Sequence, residues 1–408
     1  MKNVVAIIAI FLFTALAWFV LGATIMNRTY SADSGLQKMV ESSWGGPQRQ
    51  VPPEAVATWT RLRKVEEKVD GKVTEKTVEE TVAGVLPLER SRITADLDLE
   101  QRQKGLLWYA TYRVAYSGDY LFRNNTPGEQ TTIKLLFPAP QAIYDDLVFR
   151  VDGKPVPTTA VAGAVTATVR IPPGATARLE VGYRSQGMTT WHYTFGENVQ
   201  QVRDFNLTMK TDFDAIDFPY GTLSPTAKVK TPNGWQLTWK YNNLVTGYGI
   251  GMELPQKLQP GPLAGRISFF APVSLLFFFF LIFIITTLRG IDLHPMHYFF
   301  LATSFFAFHL LLAYLVDHIS IHAAFVICSA VSVFLVVSYL RIVTGSRFAY
   351  VEAALSQLIY LVGFSYAFFF EGFTGLAITI GAIVSLFVVM QMTARVNWRA
   401  PRVAAASA

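Results

Sequence analysis

Two stretches of this 408-residue chain, residues 4–26 and 267–394, are so strongly apolar that they decide what it can fold into. An apolar run that spans ~30 Å of hydrocarbon at about 1.5 Å per residue is the length of a membrane helix. Val4–Met26 meets that requirement. Five further runs also meet it: about Ile267–Leu288, His297–Val316, Ile321–Leu340, Phe348–Phe370 and Phe373–Ala394. The charged fraction is 16%, against roughly 25% in soluble domains. The expectation is a membrane protein with a polar insertion at 27–266.

The first run exceeds the apolar region of a secretory signal, which is about 7–15 residues, and "LGATIMNRTY" offers no small-x-small cleavage site. We therefore read 1–26 as an uncleaved anchor. Charges between the later runs set an orientation. Arg289, Arg341, Arg347, Arg395, Arg399 and Arg402 alternate with links carrying Asp317, His318 and Glu371. The positive-inside rule then puts Lys2, the basic links and the C-terminus in the cytoplasm, and 27–266 in the periplasm of a bacterium. Arg28 and Arg266 oppose this assignment. The formal charge of +6 does not point to nucleic acid, because much of it flanks the apolar runs. The single cysteine, Cys328, lies within one of them, so the polar insertion has no disulfide.

The insertion reads as β-structure. "KVDGKV" (68–73) and "RVDGKPV" (150–156) place Asp-Gly between strand-forming residues, a strong hairpin signal. "ATVRIPPGATARLEVGYRS" (167–185) gives two alternating runs around Pro172-Pro173-Gly174. "WQLTWKYNNL" puts Trp235, Leu237, Trp239 and Tyr241 on one face. A sandwich-like antiparallel domain is expected. Residues 31–43 are the main helical candidate there and could extend the first span, while 64–80 reads as a solvated, charged hairpin.

Candidate chemistry concentrates around the histidines, five of six lying between 294 and 322. The topology separates them. His294 and His297 stand at one mouth of the third span, His318 and His322 at its other side, and His309 near the middle. In "DLHPMHY", Pro295 suits a first helical turn and Asp292 a position before it, which is a structural reading of a helix start. His318 and His322, at i,i+4 beside Asp317, could share a helix face and supply metal ligands, with Glu371 as a fourth. Interfacial helix capping is the plainer expectation, and no metal or other cofactor is assigned. An ionisable group inside a span is functional by default, which singles out His309. Ser304, Tyr314, Ser329 and Ser332 are its candidate hydrogen-bond partners. Asp212, Asp214 and Asp217 lack the glycine turn of a calcium loop and read as exposed strand acids. His192 reads as packing among aromatics. Neither GxSxG, HExxH nor a phosphate-binding loop occurs.

Several segments resemble the bacterial inner-membrane CreD family. "LHPMHY" carries its His-Pro-Met-x-Tyr pattern at His294, Pro295, Met296 and Tyr298. Asp317 and His318 resemble its acid-His pair, with Asp where Glu is usual. Thr393, Arg395 and Trp398 resemble its closing Thr-Arg-x-x-Trp pattern, with Ala394 inserted and Asn397 where Asp is usual. "SSWGGPQ" resembles its Gly-Pro-Gln segment, at Trp44, Gly46, Pro47 and Gln48. The resemblance implies one N-terminal anchor, a periplasmic domain and a C-terminal membrane bundle. It also implies a link to envelope stress, β-lactam response and colicin tolerance, with no biochemical activity attached.

The sequence therefore suggests an anchor at 1–26, an all-β periplasmic domain at 27–266, a five-helix transmembrane bundle at 267–398 and a tail at 399–408. The partners expected are the lipid bilayer and an envelope component of unspecified kind, with no nucleic acid. The function expected is non-enzymatic binding in envelope homeostasis. One rival is a transporter or proton-coupled channel using His309. The other is a metal-dependent membrane enzyme using Asp317, His318 and His322. Oligomeric state stays open.

Overall fold

The computed structural model of the protein describes residues 2–69, 72–104, 107–139, 141–196, 198–370 and 372–394. Glu371, Arg395 and Trp398 lie outside these residues, as does the Asp70-Gly71 turn. The chain divides into two compact units, Met1–Ser34 with Leu258–Ala408, and Gly35–Lys257.

The first helix, α1 (Lys2–Trp44), does not stop at Met26 but runs on through 31–43, the helical candidate read as a possible extension of the first span. Its last residues belong to the second unit, which is therefore not all-β: Leu36, Val40 and Trp44 pack with Leu107, Tyr109 and Met188. The remaining helices of the membrane unit are α2 (Pro260–Arg289), α3 (Pro295–Leu315) and α4 (Ile321–Thr344). They are followed by an irregular helical span, Phe348–Phe369, and a last helix, Thr374–Thr393. Among the described residues, six helices are long and apolar enough to cross a membrane. Small residues let neighbours approach closely. Gly22 lies against the backbone of Phe269, and a Cβ at Gly265 would collide with Met26. Trp18, Phe278, Phe305, Phe308 and Leu312 fill the centre of this unit.

The irregular span contains two π-helical stretches, Phe348–Ala353 and Leu358–Gly363, around one α-helical turn. Sequence periodicity does not distinguish π from α turns over so short a length, and the expectation there was an ordinary helix. π turns are rare and are commonly associated with functional sites.

Among the described residues, the second unit contains sixteen strands. The first six are β1 (Gln48–Gln50), β2 (Glu54–Val69), β3 (Lys72–Val85), β4 (Leu88–Lys104), β5 (Leu107–Arg123) and β6 (Gln130–Leu136). Then come β7 (Tyr144–Val151), β8 (Lys154–Pro155), β9 (Thr159–Val161), β10 (Ala164–Arg170), β11 (Thr176–Met188) and β12 (Thr190–Tyr193). The last four are β13 (Gln200–Thr211), β14 (Ala227–Thr231), β15 (Gly234–Thr246) and β16 (Ile250–Glu253). They form an eight-stranded sheet (β14-β15-β13-β4-β5-β11-β7-β8), a five-stranded sheet (β3-β2-β6-β10-β9) and a three-stranded sheet (β1-β12-β16).

Alternation along the strands builds one core that all three sheets share. Ile93, Ala95 and Leu97 point inward from β4, Ile133 and Leu135 from β6, and Trp191 and Tyr193 from β12. Leu237 and Trp239 of β15 are buried, with Trp235 and Tyr241 packed beside them, as the alternation predicts. Asp152 and Gly153 turn β7 into β8 with φ of 51° and 74°, the two positive values of a type I′ hairpin. The Pro172-Pro173-Gly174 turn does something different. The runs on either side do not pair with each other: β10 joins β6 and β9, while β11 joins β5 and β7. The turn carries the chain from one sheet to another. Beyond Thr58, β2 pairs only with β3, and the described side chains at 61–65 and 76–80 are exposed, as the charged hairpin reading predicts.

Candidate functional site

In the β unit, strand ends from all three sheets converge on a cleft of about 770 Å³. Prolines create it. Pro52 and Pro53 follow β1 and Pro87 separates β3 from β4, and a proline cannot donate to a ladder, so pairing stops and the sheets part. The floor is aromatic and apolar. Leu86, Phe122, Tyr193 and Phe205 are at most 2% exposed. Phe195, half-buried, sets its ring edge-on to Phe205 at 4.9 Å and to Tyr193 at 5.6 Å. The rim carries Arg49, Lys134 and Arg203, with Glu54 as the described carboxylate. Arg49 donates from Nε to the Thr194 hydroxyl at 3.2 Å. None of these three cations makes an ion pair within 4.0 Å among the described residues. A second concavity, lined by Arg92, Asp119, Arg178 and Arg184, differs in this respect. There Arg178 lies 2.7 Å from Asp119, Arg92 2.6 Å from Asp204 and Arg184 3.3 Å from Asp146.

The Trp44–Gln48 segment is structural. Gln48 is 1% exposed and donates from Nε2 to Ser185 Oγ and to the Gln186 carbonyl, both at 2.8 Å. Gly45 has φ 113°, and a Cβ there would strike the Gln186 carbonyl. The Gly46 carbonyl accepts from Met188 N, and Pro47 leads into β1. The Arg102 guanidinium lies 3.4 Å over the Trp44 ring. The neighbouring Tyr183 hydroxyl donates to Gln50 Oε1 at 2.6 Å. Burial raises the phenols of Tyr112, Tyr116, Tyr120, Tyr183 and Tyr193 well beyond the ordinary tyrosine range, so they serve as neutral hydrogen-bonding groups.

In the membrane unit the histidines are dispersed. His294, not Asp292, caps α3, its Nδ1 accepting from Met296 N at 3.3 Å, with Pro295 in the first turn. His297 Nδ1 lies 2.7 Å from the Tyr339 hydroxyl of α4. Tyr298 is buried edge-on to Phe279. At the other end, Asp317 lies 3.2 Å from Arg28 of α1, which also donates to the Ala313 carbonyl at 3.0 Å. His318 sits in the turn before α4, whereas His322 is within the helix, capped by Ser320, with its ring against Phe369. The expected i,i+4 pair on one helix face is therefore absent, because the helix begins between the two histidines. No group of three His, Cys, Asp or Glu side chains able to hold a metal occurs among the described residues.

His309 is fully buried against Trp18 and Phe308. Its Nδ1 donates to the Phe305 carbonyl of its own helix at 2.9 Å, so the expected bond to a neighbouring helix is not made. Its Nε2 has no hydrogen-bond partner among the described residues, nor does the Trp18 indole nitrogen. The serines have other partners. Ser304 and Ser329 bond within their own helices, and Ser332 donates to the Ser304 carbonyl at 2.7 Å. Sequence reading passed over Gln357. It is 0% exposed, donates from Nε2 to Ser332 Oγ at 2.8 Å and leaves Oε1 unpartnered. A glutamine inside an apolar run was the available signal. Nearby, Arg289 pairs with Glu352, whose second carboxylate oxygen is buried without a partner.

In the β unit, Asp212 accepts from Leu99 N at 2.8 Å, Asp214 pairs with Lys230, and Asp217 accepts from Phe218 N at 2.8 Å. All three are exposed and lie after β13, Asp212 and Asp214 in loop structure and Asp217 in an isolated bridge to Glu253, and each binds the protein itself.

Residues 231–399 match the family model of the inner membrane protein CreD. No curated protein matches the chain. Among solved structures, a putative nutrient binding protein from Legionella pneumophila is 10% identical with a TM-score of 0.31, covering 46% of this chain and 72% of its own. An M1 zinc metallopeptidase from Deinococcus radiodurans is 12% identical with a TM-score of 0.27, covering 41% of this chain and 42% of its own.

Proposed function

We propose, taking the CreD match as the premise, that this is a non-catalytic inner-membrane protein whose β unit lies in the periplasm and binds an envelope component. The observation that carries the reading is the cleft: cations without an ion pair among the described residues, around an apolar, aromatic floor, at the junction of three sheets. Ligand sites are concave, largely apolar and equipped with a few polar groups, and ~300–1,000 Å³ is their usual size. A role in envelope stress follows from the family resemblance, and both termini are assigned to the cytoplasm on the positive-inside rule.

The test is photocrosslinking in cells from positions around the cleft, with the captured material identified by mass spectrometry. Capture of one envelope component from cleft positions, and not from the Arg92–Arg178 face, supports the reading. Equal capture from both faces, or none, overturns it. Reporters fused after Asp317 and after Arg347 test the orientation, and should act outside and inside respectively.

A second reading, proton or solute transfer through the bundle, is favoured by the unpartnered Nε2 of His309 and Oε1 of Gln357. It predicts that His309→Leu abolishes flux in liposomes while leaving the fold intact.

A further inference from the structure

Many arginines of the β unit are paired with carboxylates, and the cleft stands apart because three cations without an ion pair among the described residues line one concavity. Arg90, Arg92, Arg102, Arg113, Arg123, Arg170, Arg178 and Arg184 each lie within 4.0 Å of a carboxylate. Among the described residues Arg49, Lys134 and Arg203, which share one cleft, do not. Glu54 stands opposite Lys134 in the β2–β6 register without closing to ion-pair distance. A cation with no partner costs little in water, but a set of them facing one concavity raises its potential and draws an anion. The floor asks for something else. Leu86, Phe122 and Phe205 are closed off beneath it, but Phe195 is part-exposed and Val85 and Leu136 at the edge are 61% and 42% exposed, so these three offer hydrocarbon and ring surface. A free inorganic anion would use the rim and leave that surface wet. An apolar molecule would use the floor and leave the cations idle. A molecule with an anionic head and a hydrocarbon portion uses both.

We infer that the cleft binds an acidic membrane lipid, its phosphodiester against Arg49, Lys134 and Arg203 and its proximal hydrocarbon against Phe195, Val85 and Leu136. This inference rests on the binding reading above and names the chemistry of the same site. The β unit is continuous in sequence with apolar membrane helices at both of its ends. Lipid is thus the anionic amphiphile at the highest effective concentration around it.

The experiment uses the full chain in nanodiscs of phosphatidylcholine. Cys328→Ala removes the native thiol, and Gln200→Cys places a fluorophore at the cleft. The probes are water-soluble dihexanoyl-phosphatidylglycerol, dihexanoyl-phosphatidylcholine and inorganic phosphate. The inference expects a saturable response to phosphatidylglycerol, at least about tenfold weaker binding of phosphatidylcholine, and no response to phosphate. Arg203→Gln with Lys134→Gln should weaken binding by about tenfold or more at unchanged melting temperature, and Phe195→Ser should weaken it too. Arg92→Gln, on the paired face, should leave it unchanged. Equal binding of both lipids, binding of phosphate alone, or wild-type affinity in the double variant overturns the lipid assignment. If the labelled cleft is lipid-blind yet still crosslinks an envelope glycan or protein in cells, the lipid assignment fails and the binding reading stands. If neither occurs, both fail.

Discussion

Arg28 and Asp317, separated by most of the chain's length, meet at one end of the membrane unit with 3.2 Å between guanidinium and carboxylate. The contact gives Arg28, which opposes the positive-inside assignment, a neutralising acid in the α3–α4 link. Arg28 also lies 5.7 Å from the centre of the Tyr314 ring. The first and third spans therefore end on the same side.

The pair is partly solvated, so its coupling is modest. A double-mutant cycle with Arg28→Gln and Asp317→Asn should give about 0.5–1 kcal/mol, measured by thermal unfolding in nanodiscs. A coupling of zero would mean that the two charges do not hold α1 to the α3–α4 turn.

Ser332 and Ser329 separate interhelical bonding from local bonding. Ser332 receives Gln357 and reaches Ser304, while Ser329 bonds only to Phe325 of its own helix. Ser332→Ala should cost about 0.5–1.5 kcal/mol more than Ser329→Ala. Equal costs would show that the Gln357 bond contributes nothing.

His309 has one nitrogen without a partner in an apolar setting. Removing an unsatisfied polar group relieves its desolvation, so His309→Leu should leave the melting temperature unchanged or raise it. A fall of several degrees would mean that Nε2 has a partner, such as bound water, that holds the bundle together.

Gln48→Ala removes two buried hydrogen bonds, to Ser185 Oγ, which keeps its own bond to the Ile143 carbonyl, and to the Gln186 carbonyl. The expected loss is about 2–3 kcal/mol, and Gly45→Ala should be comparably severe because its φ and its clash both oppose a side chain. Protease resistance and melting of the full chain report both. A mild effect of Gln48→Ala would move the importance of this segment from folding to binding.

His192 supplies a pH dependence. Burial, with the Arg49 charge added, lowers its imidazole from the ordinary range. The unfolded chain thus takes up the proton first, near pH 6.5. Stability from this group is intact above that pH and declines as pH falls towards the lowered folded value. Melting temperature should drop between about pH 7 and pH 5, and His192→Asn should flatten the drop. An unchanged slope in the variant would assign the pH response to other groups.

Hydrophobic runs, the Asp152-Gly153 hairpin, the inward face of β15 and the charged exterior of the 64–80 hairpin were all legible from local pattern. Each depends on neighbours in sequence: turn chemistry, period-two alternation, or uninterrupted apolar length. The CreD-like region was legible through short motifs, which mark a family without saying what each residue touches. The structure then assigned His294 to a helix cap and Gln48 to a buried plug. It also placed His318 and His322 apart, because the start of α4 falls between them.

What the sequence determined by itself is the division into apolar helices and a β-rich insertion, since length in hydrocarbon and alternation in strands are one-dimensional properties. Only the tertiary structure decided that β10 and β11 enter different sheets, that Arg28 finds Asp317, and that Gln357 finds Ser332. It also decided that Arg49, Lys134 and Arg203, without an ion pair among the described residues, gather around one cleft beside Phe195. Those meetings are set by which strands pair and which helices pack, and no local pattern encodes a partner on another element.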